Sequence, residues 1–257
     1  MKASFEAVRK PRPGARFHLQ QALAIGTQLS LPRDAAHHAV RVLRLGTGDL
    51  LTLFDGLGGE YCAEVVSIAR GELVARTTAF DPIERESPVV TCLVQGISSG
   101  DRMDYTIRKA VELGITRIVP VFTERSVVRL SGDRADRRRD HWTALATAAC
   151  EQCGRNRIPE IAAAQPFMAW LPETDAAAGA DTRLLLSATA AARLAAMPRP
   201  DGPVMLLAGP EGGLTDTEIA LAVSRGFGGV SLGPRILRTE TAAVAALAAI
   251  QSLWGDF

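Results

Sequence analysis

Hydrophobic and polar positions follow two different rhythms along this chain. Between about residues 37 and 80, short apolar runs are separated by Gly and Asp, as in HHAVRVLRLGTGDLLTLFDGLGGEYCAEVV. The pattern predicts strands at Leu50–Phe54, Glu60–Ile68 and Leu73–Ala79, with turns at Asp55-Gly56, Gly58-Gly59 and Arg70-Gly71. A short helix over Asp34–Val42, ending near Gly46, precedes them. Closely spaced short strands predict a small β-barrel. The polar, proline-bounded segment DPIERESP then reads as a linker.

Beyond the linker the period lengthens. VVTCLVQGI has the length of a strand, and Asp101–Leu113 has helical spacing with Met103, Ile107, Ala110, Val111 and Leu113 as its apolar face, stopped by Gly114. ITRIVPVFT is a strand again, and Arg134–Cys153 a helix. Strands at 184–187, 204–209 and 229–233 alternate with helices at Thr215–Ser224 and from Thr241 to Leu253. This alternation predicts an α/β domain with a parallel sheet. The expected division is residues 1–85 and 86–257.

Charge adds one asymmetry. The net charge is only +1, yet residues 1–50 carry eight basic and three acidic side chains. That is a local electrostatic footprint suited to RNA. No apolar run has the length that spans a bilayer, and the first seventeen residues lack a secretory apolar core; they read as a flexible lead-in to a cytoplasmic protein. The four cysteines form no disulfide framework, and Cys150–Cys153, the one CxxC, follows a helical run and lacks the partners of a zinc site. It reads as helix packing, and no metal is expected.

The chemistry concentrates in three loops that follow strands near the C-terminus: Ser187-Ala188-Thr189, Gly209-Pro210-Glu211-Gly212-Gly213 and LGPRILRTET (232–241). In open α/β sheets ligands sit beyond the carboxyl ends of strands, and glycines let the backbone approach them. Thr215 and Glu218 have the spacing of a capping box, and Thr239 or Thr241 is placed to cap the last helix. The chain has no GxxxxGK[ST], no GxGxxG opening a βαβ unit and no GxSxG, so the loops call for a ligand of another kind.

GPEGGLTDTEI followed by LGPRILRTETA resembles the SPOUT superfamily of trefoil-knotted RNA methyltransferases, and within it the ribosomal RNA small-subunit methyltransferase E family. IRKAVELGITRIVPVFTERSVV and ACEQCGRNRIPEI fit the same family, and HHAVRVLRLGTGDLLTLFDG fits its PUA-like RNA-binding barrel, so the resemblance runs from about Phe17 to the end. It implies a knotted C-terminal domain, a homodimer, and methylation of uridine N3 in the decoding region of 16S rRNA, with S-adenosylmethionine as cofactor and the small ribosomal subunit as partner.

The resemblance also implies roles. Gly209, Glu211, Gly212, Leu232, Gly233, Ile236, Leu237 and Thr241 would line the cofactor site, with Ser187 standing, next to Ala188, where relatives often carry His-Pro. Arg238 would be catalytic, stabilising negative charge as N3 loses its proton; a plain salt bridge to Glu240 or Glu211 is the alternative. Glu240 would orient Arg238 or cap the last helix. Arg41 and Arg44 would contact RNA, as would Arg16, Arg125 and Arg155, and Arg102 would stand in for a basic residue that relatives carry where this chain has Ser99. Two other readings remain: a SPOUT methyltransferase acting on another rRNA or tRNA site, and a non-catalytic rRNA-binding assembly factor.

Overall fold

A computed structural model of the chain describes residues 11–127, 132–173 and 182–257. Lys2, Lys10 and the rest of the first ten residues of the expected lead-in lie outside them. The chain forms two compact units: one runs to Glu86 and takes in Cys150–Ile158, the other comprises Ser87–Ala149 and Pro159–Phe257. The expected boundary falls one residue earlier, and the nine-residue return of the chain to the first unit was not anticipated.

The first unit contains β1 (Arg16–His18), β2 (Gln28–Ser30), α1 (Arg33–His37), a π-turn at His38–Val42, β3 (Leu50–Phe54), β4 (Glu60–Ala69) and β5 (Glu72–Asp81). The strands form one sheet in the order β1-β3-β4-β5-β2, with β1 parallel to β3 and the other pairings antiparallel. Arg16 and Phe17, expected in a flexible lead-in, are thus paired strand. The β4–β5 turn is built as predicted: Arg70 and Gly71 both have positive φ, 51° and 84°, which matches the right-handed twist of a hairpin. Alternate side chains of the strands point inward, so that Phe17, Leu29, Leu51, Leu53, Val65 and Leu73 share one core.

The second unit contains β6 (Thr91–Gly96), α2 (Asp101–Glu112), β7 (Arg117–Phe122), α3 (Asp133–Cys153, its last turn counted with the first unit), β8 (Glu160–Ile161), β9 (Gln165–Pro166), α4 (Phe167–Glu173), β10 (Thr182–Leu186), β11 (Val204–Ala208), α5 (Asp216–Ser224), β12 (Gly228–Val230) and α6 (Thr239–Trp254). Its sheet is parallel throughout, in the order β12-β10-β11-β6-β7-β8, with β9 also on β7. Strands covered on both faces read as near-continuous apolar runs, which is how LLLS and VMLLAG look in the sequence. Val94, Val119, Val121, Leu185 and Leu207 pack with Phe167, Trp170 and Ala222. The pleat turns buried Leu93, Ile118 and Leu206 to the opposite face, and α2 packs against α6.

Thr215 and Glu218 form the capping box reciprocally at the start of α5. No helix among the described residues is long and apolar enough to cross a membrane. Cys150 is fully buried in the last turn of α3, its thiol pushed up to about 12 by burial, and donates to the Arg157 carbonyl at 3.5 Å; it is a packing residue, as the sequence indicated.

Candidate active site

Three strands of the second unit, β10, β11 and β12, end side by side, and the loops that leave them enclose a cavity of about 660 Å³. Ser187 lines it from the first loop, Gly209 and Glu211 from the second, and Leu232, Gly233, Ile236 and Leu237 from the third, followed by Arg238 and Glu240. Gly233 has φ 119°, a conformation that a side chain resists. The loops hold one another. Ser187 donates its N–H to the Val230 carbonyl at 3.0 Å, Arg193 bridges to Ser231, and the Thr239 hydroxyl donates to the Gly209 carbonyl at 2.6 Å.

The second loop crosses β6 at very short range. A Cβ on Gly96 would lie 2.5 Å from Pro210 Cδ and 2.6 Å from its nitrogen, so the strand must carry glycine there for the loop to pass. On the loop's other side, a Cβ on Gly212 would meet Arg125 Cβ at 2.9 Å, and Arg125 donates to the Gly212 carbonyl at 3.1 Å. Arg125 thus braces the loop. Gly212 and Thr241, expected in the lining, stand outside it.

Charge in the cavity is divided unevenly. Oε1 of Glu211 accepts from the Ser99 N–H at 2.9 Å, the Ser99 hydroxyl at 2.7 Å and Arg102 at 2.8 Å. Partial burial works to raise its pKa, but these bonds and its own backbone N–H outweigh it and hold the carboxyl at about 2. Arg102 Nε also lies 3.8 Å from Glu240 Oε1, whereas Glu240 Oε2 is buried with no hydrogen-bond partner among the described residues. Arg238, at the N-cap of α6, is exposed and its guanidinium has no hydrogen-bond or ion-pair partner among the described residues. The salt bridge from Arg238 to Glu240 or Glu211 is therefore not formed. Nor does a threonine cap α6: the N-cap makes no side-chain bond, and Thr239 is turned to Gly209 instead.

Within the first unit, the arginines expected to meet RNA separate into two groups. Arg41 and Arg44 are exposed beside the π-turn. Arg44 has φ 55°, and Arg12 donates to the carbonyls of Leu43 and Arg44 at 2.8 and 3.1 Å, which fixes this unusual turn. Arg16 and Arg155 are turned inward. Arg16 lies over the Phe54 ring, bonds Glu60 at 2.5 Å and donates to Asn156; burial lowers its pKa, and Glu60 opposes the shift. Arg155 is 3% exposed and pairs with Glu86 at 2.5 Å. Both guanidiniums are engaged by pairs within the unit, as charge taken from water requires. Glu151 of the same segment accepts the His18 N–H at 2.9 Å, and burial raises its pKa despite that bond.

A family model described as an RNA methyltransferase domain matches residues 85–251, and one described as an RNA methyltransferase PUA domain matches residues 31–78. The two units and the three-loop cavity are those of an RNA methyltransferase. The ribosomal RNA small subunit methyltransferase E of Buchnera aphidicola subsp. Schizaphis graminum is 32% identical over 94% of this chain and 97% of its own length. That of Synechocystis is 35% identical over 89% of this chain and 74% of its own. The solved structure of the enzyme of that name from Neisseria gonorrhoeae, bound to S-adenosyl methionine, is 40% identical and superposes with a TM-score of 0.86 over 95% of this chain and 99% of that one. The chain belongs to the ribosomal RNA small subunit methyltransferase E family.

Proposed function

We propose that this chain transfers the methyl group of S-adenosylmethionine to N3 of a uridine in the decoding region of 16S rRNA, within the small ribosomal subunit. The observation that carries the reading is Arg238: an exposed guanidinium without a partner among the described residues, on the wall of a three-loop cavity whose lining carboxylates Glu211 and Glu240 are engaged by Arg102 instead. Two solved relatives, 40% and 36% identical, hold this cofactor according to their descriptions.

The residues present suit it. The cavity volume falls in the range of small-molecule sites, roughly 300–1,000 Å³. Leu185, Leu232 and Leu237 offer apolar walls for a purine, and the buried Glu240 Oε2 is an acceptor in want of a donor, which a hydroxyl or ammonium group supplies. Ser187, Gly209, Glu211, Gly233 and Ile236 complete the holding set. When bound, the cofactor supplies an electrophilic methyl group on a sulfonium.

The remaining chemistry falls to the protein. Uracil N3–H is a weak acid, and its conjugate base spreads negative charge onto the flanking carbonyl oxygens. A guanidinium fixed beside them stabilises that anion and lowers the barrier to reaction at N3. N3 lies on the pairing edge, so the base must be extruded from any stack to reach the cavity. Arg41 and Arg44 supply backbone contacts from the first unit. We place the protein in the cytoplasm as a homodimer, in keeping with its family; Ile236, 88% exposed, and Leu253 offer apolar surface for a partner subunit.

The test is methyl transfer from labelled S-adenosylmethionine to small subunits lacking native uridine methylation, mapped by reverse-transcription arrest, with naked 16S rRNA alongside. A single arrest in the decoding region supports the proposal. Label on a ribose or in another RNA refutes the substrate.

A further inference from the structure

Gln95 is the last residue but one of β6, in the middle of the second unit's sheet, and is fully buried. Its neighbours Leu93 and Val94 show what such a position ordinarily holds. Gln95 does not line the cavity, yet its Nε2 is directed at two of the loops that do. It donates to the Gly96 carbonyl at 3.0 Å, the Gly209 carbonyl at 3.3 Å and Thr239 Oγ1 at 3.1 Å. The amide orientation follows from chemistry: exchanging oxygen and nitrogen would set Oε1 against two carbonyls with no hydrogen between them. Two N–H hydrogens therefore serve three acceptors, and the Thr239 hydroxyl donates its own hydrogen bond to the Gly209 carbonyl. The amide oxygen is buried and has no hydrogen-bond partner among the described residues, a cost that an apolar side chain in the same strand avoids.

The three acceptors are not arbitrary. Gly209 opens the second loop, and Gly96 is the strand residue that the following Pro210 crosses. Thr239 opens α6, with Arg238 before it and Glu240 after it. Among the described residues no backbone–backbone hydrogen bond joins the second loop to α6; the Gln95 amide and the Thr239 hydroxyl link them. We infer that Gln95 is the positioning residue of this site: its amide sets the spacing between the Gly209–Gly213 loop and the first turn of α6, and so the place of Arg238 relative to the bound methyl donor. The inference rests on the proposed function for its consequence in catalysis, but the spacing itself is a property of the free protein.

The experiment uses the full chain with Gln95→Leu, Gln95→Glu, Thr239→Ser and Thr239→Val. Amide hydrogen exchange is followed without ligand, well below the unfolding temperature, and S-adenosylmethionine binding is then measured by calorimetry. Gln95→Leu is expected to speed exchange together in residues 209–214 and 236–244, leaving β7 at the wild-type rate, and to weaken cofactor binding about tenfold, or about 1.4 kcal/mol. Thr239→Val should resemble it, while Thr239→Ser, which keeps the hydroxyl, should resemble the wild type. Gln95→Glu should match Gln95→Leu at neutral pH, where a carboxylate faces two carbonyls, and recover part of the affinity in mild acid, where a protonated carboxyl again donates one hydrogen bond. Exchange that rises throughout the sheet, or that stays at the wild-type rate in both loops, overturns the inference. Wild-type protein that binds no S-adenosylmethionine refutes the proposed function instead, and the exchange comparison still decides the role of Gln95.

Discussion

Glu240 faces Arg102, at 3.8 Å, and not Arg238, its near neighbour in sequence. Arg102 also bonds Glu211 at 2.8 Å, so one guanidinium engages both lining carboxylates. The consequence is electrostatic. A carboxylate beside Arg238 would neutralise it and cancel its pull on an anion forming in the cavity. With both acids held by Arg102, neither neutralises Arg238, which under the proposed function leaves its positive charge for the substrate. Ser99 does the complementary work by giving Glu211 two hydrogen bonds.

Arg238→Ala should therefore lower the rate of methyl transfer by about a hundredfold to a thousandfold, the usual loss when one preorganised donor is removed. The side chain is exposed and unpaired among the described residues, so unfolding temperature and S-adenosylmethionine affinity should stay near the wild-type values. Single-turnover transfer and calorimetry separate these quantities. A variant that binds the cofactor as poorly as it reacts would show that Arg238 holds the cofactor and not the transition state.

Local pattern was enough to read most of this fold. Strands β3 to β5 and the alternating elements of the sheet carry long, regular hydrophobic signals, and Thr215 and Glu218 announce their helix by spacing alone. β1 escaped because three residues, RFH, contain too little alternation, and its partner β3 lies more than thirty residues on. α4 escaped because FMAWLPE is short and contains a proline. In the site, glycine and the order of the motifs pointed to the loops. What they could not give was pairing. Arg16 and Arg155 look in sequence like any surface arginine; their partners Glu60 and Glu86 stand 44 and 69 residues away. Gln95 had a visible signal, a lone amide inside an apolar run, but its meaning depends on Gly209 and Thr239, which only the fold brings near.

Gly96 offers a steric test of the loop crossing. In Gly96→Ala the new methyl meets backbone and ring atoms of Pro210 that cannot rotate away, so either the loop moves or the strand does. The expected cost is about 1–3 kcal/mol of stability, typical of overpacking. Displacement of the second loop should weaken cofactor binding beyond what the loss of folded protein explains. Denaturant melts and a binding titration on the same preparation check both, and unchanged binding in a stable variant would mean that the crossing has no part in shaping the cavity.

The two groups of arginines in the first unit should respond in opposite ways. Arg155→Ala leaves Glu86 without its buried partner and should cost about 3 kcal/mol of stability, with little change in RNA affinity of the protein that remains folded. Arg41→Ala should be nearly neutral for stability, weaken RNA binding, and reduce the slope of log affinity against log salt by about 1. Chemical denaturation paired with a salt series on an rRNA fragment distinguishes them. Reversal of the two outcomes would return Arg155 to the RNA-binding surface.

Glu211 predicts a pH dependence of definite sign. Its carboxyl is depressed in the folded chain from 4.5 to about 2, because the bonds from Ser99, its own backbone and Arg102 favour the anion over the opposing effect of burial. A depressed acid stabilises the fold fully above its unfolded value, and that contribution is lost as pH falls towards the folded value. Glu211→Gln removes the titration. The stability difference between wild type and variant should thus be flat above pH 4.5 and shrink between 4.5 and about 2. Thermal melts of both proteins across this range measure it directly. A difference that is already falling near neutral pH would show that the carboxyl is not held by these donors. A difference that persists unchanged at the acid end would mean that the amide loses packing and not charge.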